Sequence, residues 1–282
     1  MTASITGSTP DNHLRDTDFP AGTLRVLQLT DTHLYADPIR TLLGVNTLDT
    51  FQQVIRYFRD FHWPLDALLA TGDLVHDASP KGYKQIGEIL SGFGVPVYCL
   101  PGNHDVPPVM REHLRAAQVH TTAVMDQGAW RFVMLDSVKP GEEGGHLAPD
   151  QLELLDEALA TGDRHTLVCM HHQPVDVGSA WIDTMAIDNP GPLFEIIDRH
   201  SHVRGILWGH VHQTFDARRG AVRLMSSPST CVQFTPRQDD FQVDEEPPGF
   251  RLLALLPDGR ILSEVVRVDE MPQGLDLASG GY

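Results

Sequence analysis

The chain has 282 residues, 41% of them hydrophobic and 21% charged, with 24 Gly and 20 Pro, a make-up that suits a loop-rich globular protein with a full-sized core and excludes a disordered or fibrous one. Its formal net charge of -17 with His neutral disfavours general attraction to nucleic acid or an anionic membrane, so an anionic substrate would need positive charge supplied locally. No apolar run approaches the roughly 18 residues of a spanning helix, and Cys99, Cys169 and Cys231, an odd set lying in apolar or β-branched runs, read as reduced core residues of a cytoplasmic protein.

Residues 1–21 are polar, rich in turn formers and without the apolar stretch of a secretory signal, and residues 269–282 are similar. Both are expected to be loosely held tails around a single domain spanning 22–268. Within it, short apolar runs recur: RVLQL (25–29), ALLAT (67–71), VPVYCL (95–100), RFVMLD (131–136), HTLVCM (165–170) and GILWG (205–209). Each is five or six residues long and bounded by Gly, Pro or Asp, as strands buried on both faces are. Between them run helical patterns at 47–61, with Leu48, Phe51, Val54, Ile55 and Phe58 on one face, at 148–160 and at 191–200. The alternation predicts a layered α/β core, and residues 251–268 read as a β-hairpin turning at Pro257-Asp258-Gly259.

Five of these runs are followed at once by residues able to bind a hard or borderline cation: Asp31 and His33, Asp73, Asn103, His171, and His210 with His212. Ligands bind at the carboxyl ends of strands in α/β sheets, so these groups can converge. Asp31 and His33, like His210 and His212, are one residue apart, and in extended chain such pairs point the same way. Gly72, Gly102 and Gly209 each precede one of the candidates, where a missing side chain lets the backbone pass close to a cation. No Cys joins the set, which argues for catalytic cations rather than a structural zinc site. His76 and His146 lie in loops near the expected site and are candidates for substrate contact, whereas His13, His62, His113, His120, His165, His200 and His202 have no strand-end context.

The ordered set DTH, GD, GNHD, HH and GHVH, from residue 31 to residue 212, resembles the calcineurin-like metallophosphoesterase superfamily. The resemblance implies a four-layer α/β/β/α sandwich with a two-metal site at the strand ends. It places one metal on Asp31, His33, Asp73 and His212 and a second on Asp73, Asn103, His171 and His210, with Asp73 shared. His171, directly after its strand, is preferred over His172, which would point to the opposite face. The metals implied are iron or manganese, with zinc also compatible. Two such cations would activate a bridging hydroxide for attack on phosphorus. His104 would act as hydrogen-bond donor or general acid at the leaving oxygen, Asp105 would support an imidazole from behind, and His33, Asn103, His104 and His212 would face the substrate.

Residues 43–55, 171–193, 208–215 and 226–259 are further similar to bacterial class III 3′,5′-cyclic AMP phosphodiesterases. That likeness implies hydrolysis of cyclic AMP to 5′-AMP by a monomer or homodimer without nucleic acid or membrane partners, with Trp181 either stacking on the base or packed in the core. Broad hydrolysis of 2′,3′-cyclic nucleotides and glycerophosphodiesters is the alternative, and a non-catalytic scaffold the remote one, since no ligand is missing.

Overall fold

The computed structural model describes residues 5–7 and 14–281; His13 lies outside them. Its strands in chain order are β1 (Ile5–Gly7), β2 (Leu24–Leu29), a short hairpin β3 (Thr41–Leu42) and β4 (Val45–Asn46), β5 (Ala67–Thr71), β6 (Val97–Leu100), β7 (Val119–His120) and β8 (Val124–Gln127). They continue with β9 (Trp130–Met134), β10 (His165–Cys169), β11 (Val203–Trp208), β12 (Phe215–Arg219), β13 (Val222–Ser226), β14 (Gly249–Leu255) and β15 (Ile261–Arg267). The helices are α1 (Thr47–Asp60), α2 (Pro80–Ser91), α3 (Pro107–His113), α4 (Pro149–Ala160), α5 (Ala180–Asp183) and α6 (Pro190–Asp198).

Two mixed sheets form the centre, one ordered β15-β14-β2-β5-β6-β7 and the other β1-β12-β13-β11-β10-β9-β8. Strands β2, β5, β6 and β7 run parallel, as do β9, β10, β11 and β13, while the hairpin β14–β15 adds antiparallel strands beside β2. Period-two alternation divides each central strand between two cores. Val26, Leu69, Leu167 and Leu207 meet between the sheets with Trp130 and Phe132. Their neighbours Leu27 and Leu68 face the outer layer of α1 and α2, and Val168 and Ile206 face α4 and α6. The four-layer α/β/β/α expectation is borne out.

Helix α1 shows why the local pattern succeeds. The Asn46 side chain accepts from the Asp49 backbone N–H at 3.0 Å, capping the first turn, and Phe51, Val54, Ile55 and Phe58 form the buried stripe. Both segments expected as tails are used by the fold. Backbone pairing makes β1 an edge strand on β12, Leu14 is buried, the Asp276 N–H donates to Leu43, and Leu275 packs by Leu42 and Val45. Short stretches of polar sequence conceal how few apolar anchors such docking needs.

Candidate metal centre

The candidate ligands converge where the carboxyl ends of β2, β5 and β6 from one sheet face those of β10 and β11 from the other. Backbone bonds lace the loops together beyond the strands: Asp31 N–H to Gly72, His33 N–H to Asp73, Leu34 N–H to Leu74, and Gly209 N–H to His171. The His210 N–H donates to both Asp31 carboxylate oxygens at 3.1 Å, and the His104 N–H to Asp73 Oδ1 at 2.9 Å.

The expected side-chain pairing within D-x-H and H-x-H is present, but extended chain is not its cause. Asp31, His33, Asp73, His210 and His212 all have positive φ, between 44° and 65°. Non-glycine residues are uncommon in that left-handed region, and holding five of them there is strain maintained by the surrounding bonds. Two glycines allow the close approach expected of them. A Cβ at Gly209 would sit 2.8 Å from Asp31 Oδ2, and one at Gly102 would sit 2.7 Å from His171 Nε2.

The ligand atoms of Asp31, His33 and His212 lie within 4.8 Å of one another, as do those of Asp31, Asp73 and His171. His33 Nε2 is 3.2 Å from His212 Nε2, and Asp73 Oδ2 stands between the two groups, 3.6 Å from His33 Nε2 and 3.2 Å from His171 Nε2. Asn103 Oδ1 is 3.1 Å from His171 Nε2. The His210 ring lies 5.1 Å from that of His171. Thus the seven residues singled out occupy one neighbourhood, with Asp73 in the middle.

Among the described residues, both ring nitrogens of His210 are buried without a hydrogen-bond partner. An unsatisfied buried polar group costs about 1–3 kcal/mol, more when charged, and cations taken up among these atoms would remove that cost. Burial holds His33 and His210 well below the usual imidazole range, so both offer lone pairs rather than charge. Burial alone would raise Asp73, yet the imidazoles of His171, His104 and His33 hold it well below the usual carboxylate range. His171 is the opposite case: burial opposes its charge, but Asp73 and Asp31 push it up to about 9, so a cation there displaces a proton. Imidazole, carboxylate and amide oxygen without thiolate form a donor set that fits divalent cations of the transition series.

Several neighbours depart from expectation. His172 does not turn to the opposite face: it is buried with its ring 4.7 Å from that of His210. Its Nδ1 bonds Ser137 Oγ at 2.8 Å and its Nε2 bonds the Glu143 carbonyl at 3.1 Å, which commits both nitrogens to protein. Among the described residues, Asp105 supports no imidazole. Its oxygens accept from the Leu74, Val75 and Gly102 N–H groups and from the Tyr83 hydroxyl, at 2.9 to 3.2 Å, so it ties the loop after β5 to the loop after β6. Trp181 packs edge-to-face on Phe234 and Phe241 and belongs to the core alternative. His146 pairs with Asp188 at the surface, 2.5 Å away. His76, by contrast, reaches the centre, its ring stacked on His104 with centroids 4.3 Å apart. Tyr83 and Ser137 carried no signal in the sequence, since each acts through a partner distant along the chain.

The profile of calcineurin-like phosphoesterases matches residues 24–214. The chain is 38% identical to the 3′,5′-cyclic adenosine monophosphate phosphodiesterase CpdA of Pseudomonas aeruginosa, over 95% of this chain and 99% of that protein. It is 39% identical to CpdA of Escherichia coli K12, over 92% and 95%. Among solved structures, a dimetal phosphatase from Danio rerio covers 87% of this chain and 99% of its own with a TM-score of 0.59 at 14% identity. A purple acid phosphatase from yellow lupin seeds covers 95% and 54% with a TM-score of 0.61 at 15% identity. At such identities the likeness to the two solved structures is one of fold.

Proposed function

Because the chain belongs to the calcineurin-like phosphoesterase family, we propose that it opens the cyclic phosphate of 3′,5′-cyclic AMP to give 5′-AMP, in the cytoplasm. The observation that carries the substrate is the likeness to CpdA over nearly the whole of both chains, well beyond the strand ends that bear the candidate ligands. Asp31, His33, Asp73 and His212 would hold one cation, and Asp73, Asn103, His171 and His210 the other, with iron or manganese favoured and zinc compatible. When bound, such a pair supplies Lewis acidity that neutralises phosphoryl charge and activates water.

The residues around the pair do the rest. Asp73, between the two groups of ligand atoms, serves both sites with one carboxylate. Asn103 contributes a neutral oxygen, which leaves the local charge positive inside a protein of net charge -17. His104, fixed by its N–H on Asp73, presents its ring for proton donation to the departing ribose oxygen. His33, Asn103 and His212 border the same space, where the phosphate would sit.

A substrate panel tests the reading on protein of measured metal content. The expected result is a kcat/KM for 3′,5′-cyclic AMP well above those for 2′,3′-cyclic AMP and glycerophosphodiesters, with 5′-AMP as product and activity abolished by chelation and restored by manganese. Equal or higher values for the other diesters would replace the proposal with a broad phosphodiesterase.

A further inference from the structure

Four imidazoles belong to the candidate metal centre, and in three of them, His33, His171 and His212, one ring nitrogen is settled outward on protein, which fixes the other as the nitrogen offered inward. His171 and His212 settle theirs on backbone: Nδ1 lies 2.8 Å from the Thr71 carbonyl and from the Val232 carbonyl respectively. A carbonyl only accepts, so Nδ1 donates and Nε2 turns inward. His33 differs, because its outward Nδ1 meets a side chain, His76 Nδ1, at 3.1 Å. Its inward Nε2 is the atom near His212 and Asp73.

The placement of His76 is itself fixed. The backbone ladder of β2 and β5 continues past the strand ends, and the His76 N–H donates to the Leu34 carbonyl at 2.8 Å, the residue after His33. The two rings are thereby set side by side, 5.2 Å between centroids. On the His104 side the His76 ring lies nearly parallel, 22° between planes.

We propose that His76 is a positioning residue that accepts the Nδ1–H of His33, locking the tautomer whose Nε2 faces the metal centre, and sets the ring of His104 by stacking. The role rests on reading His33 as a ligand. It makes His33 the one imidazole of the three with an outward partner whose lock a substitution can remove, because the other two use backbone carbonyls.

Three variants separate the two parts of the role. His76→Gln keeps an acceptor for His33 without a ring, His76→Phe keeps a ring without an acceptor, and His76→Ala keeps neither. Manganese affinity is read by calorimetry on metal-stripped protein, and kcat on bis(p-nitrophenyl) phosphate and cyclic AMP at saturating manganese. Removing an outward partner of a ligating imidazole typically costs about 10- to 100-fold in metal affinity or activity. His76→Ala and His76→Phe are expected to bind manganese that much more weakly and His76→Gln nearly as wild type, while at saturating metal His76→Phe keeps more of kcat than His76→Gln. Unchanged affinity in His76→Ala, or equal weakening in His76→Gln, would overturn the tautomer lock; if His76→Ala does not fold, the Gln and Phe variants still decide. Because affinity is read without substrate, a failure of cyclic AMP as substrate leaves this test standing. A wild-type chain that binds no manganese, iron or zinc would instead sink the metal reading, and the proposal with it.

Discussion

At the level of single residues the site separates backbone from side-chain duties, and His104 is the clearest instance. Its N–H holds Asp73 whatever side chain it carries, so His104→Ala is expected to keep metal binding near wild type while losing the proton donor. General acid catalysis is typically worth about 10²–10⁴-fold, and that loss should fall on cyclic AMP, whose leaving group is an alkoxide. A p-nitrophenyl diester, whose leaving group needs no proton, should suffer far less; comparing kcat on the two substrates checks this, and equal losses would remove the acid role. The ligand candidates were legible because each immediately follows an apolar strand. Their geometry was not, since nothing in D-x-H announces that both ends take left-handed backbone. His76 could be noticed as a nearby loop residue, but its contact with His33 joins positions 43 apart and follows from the pairing of two loops.

At the level of elements, the loops after β5 and β6 act as one unit because Asp105 and Tyr83 clamp them. The Tyr83 hydroxyl donates to Asp105 Oδ1 at 2.9 Å and accepts the Val106 N–H at 3.1 Å. Tyr83→Phe removes both hydrogen bonds; Asp105 Oδ1 keeps the Val75 N–H, so the part-buried Val106 N–H is the group left unmatched, and destabilisation of about 1–3 kcal/mol is expected from denaturant titration. The same variant should weaken metal binding, because the clamped loops carry Asp73 and Asn103. A stability change below about 0.5 kcal/mol would show that the clamp is dispensable. Strand and helix positions could be read closely from hydrophobic period, as in α1 and the β14–β15 hairpin. The sequence places Asp105 beside the candidate ligand Asn103 but does not reveal that it holds backbone N–H groups and a phenol rather than an imidazole, because a carboxylate's partners depend on which N–H groups a turn aims at it.

At the level of the whole molecule, two sheets held by a shared apolar core present the candidate ligands to each other across their carboxyl ends. The layered class could be inferred from alternating strands and helices; the division of strands between sheets could not, because period-two burial looks the same on either side of the inner core. The two sheets are also joined by polar contacts. Buried Arg251 of β14 donates to the Ser226 carbonyl at the end of β13, and Gln28 of β2 donates to the Trp208 carbonyl of β11 at 3.0 Å. A cation held from both sheets adds to that joint, so metal at one hundred times its Kd should stabilise the fold by about 2.7 kcal/mol. For a chain of this size that corresponds to a rise in Tm of roughly 5–10 °C with manganese, measured by thermal scanning. Asp73→Asn, which weakens the shared position, should lose most of the rise; an equal rise in the variant would place the stabilising ion elsewhere.

The span from Asp31 to His212 has a consequence for how the molecule comes into being. A chain emerging from the ribosome exposes Asp31 and His33 early, yet His210 and His212, proposed to complete the centre, follow some 180 residues later. Strand β14, which flanks β2 on its second side, comes later still. On the proposed ligand set, partial chains carry incomplete coordination, and metal capture becomes a late event that follows the assembly of both sheets.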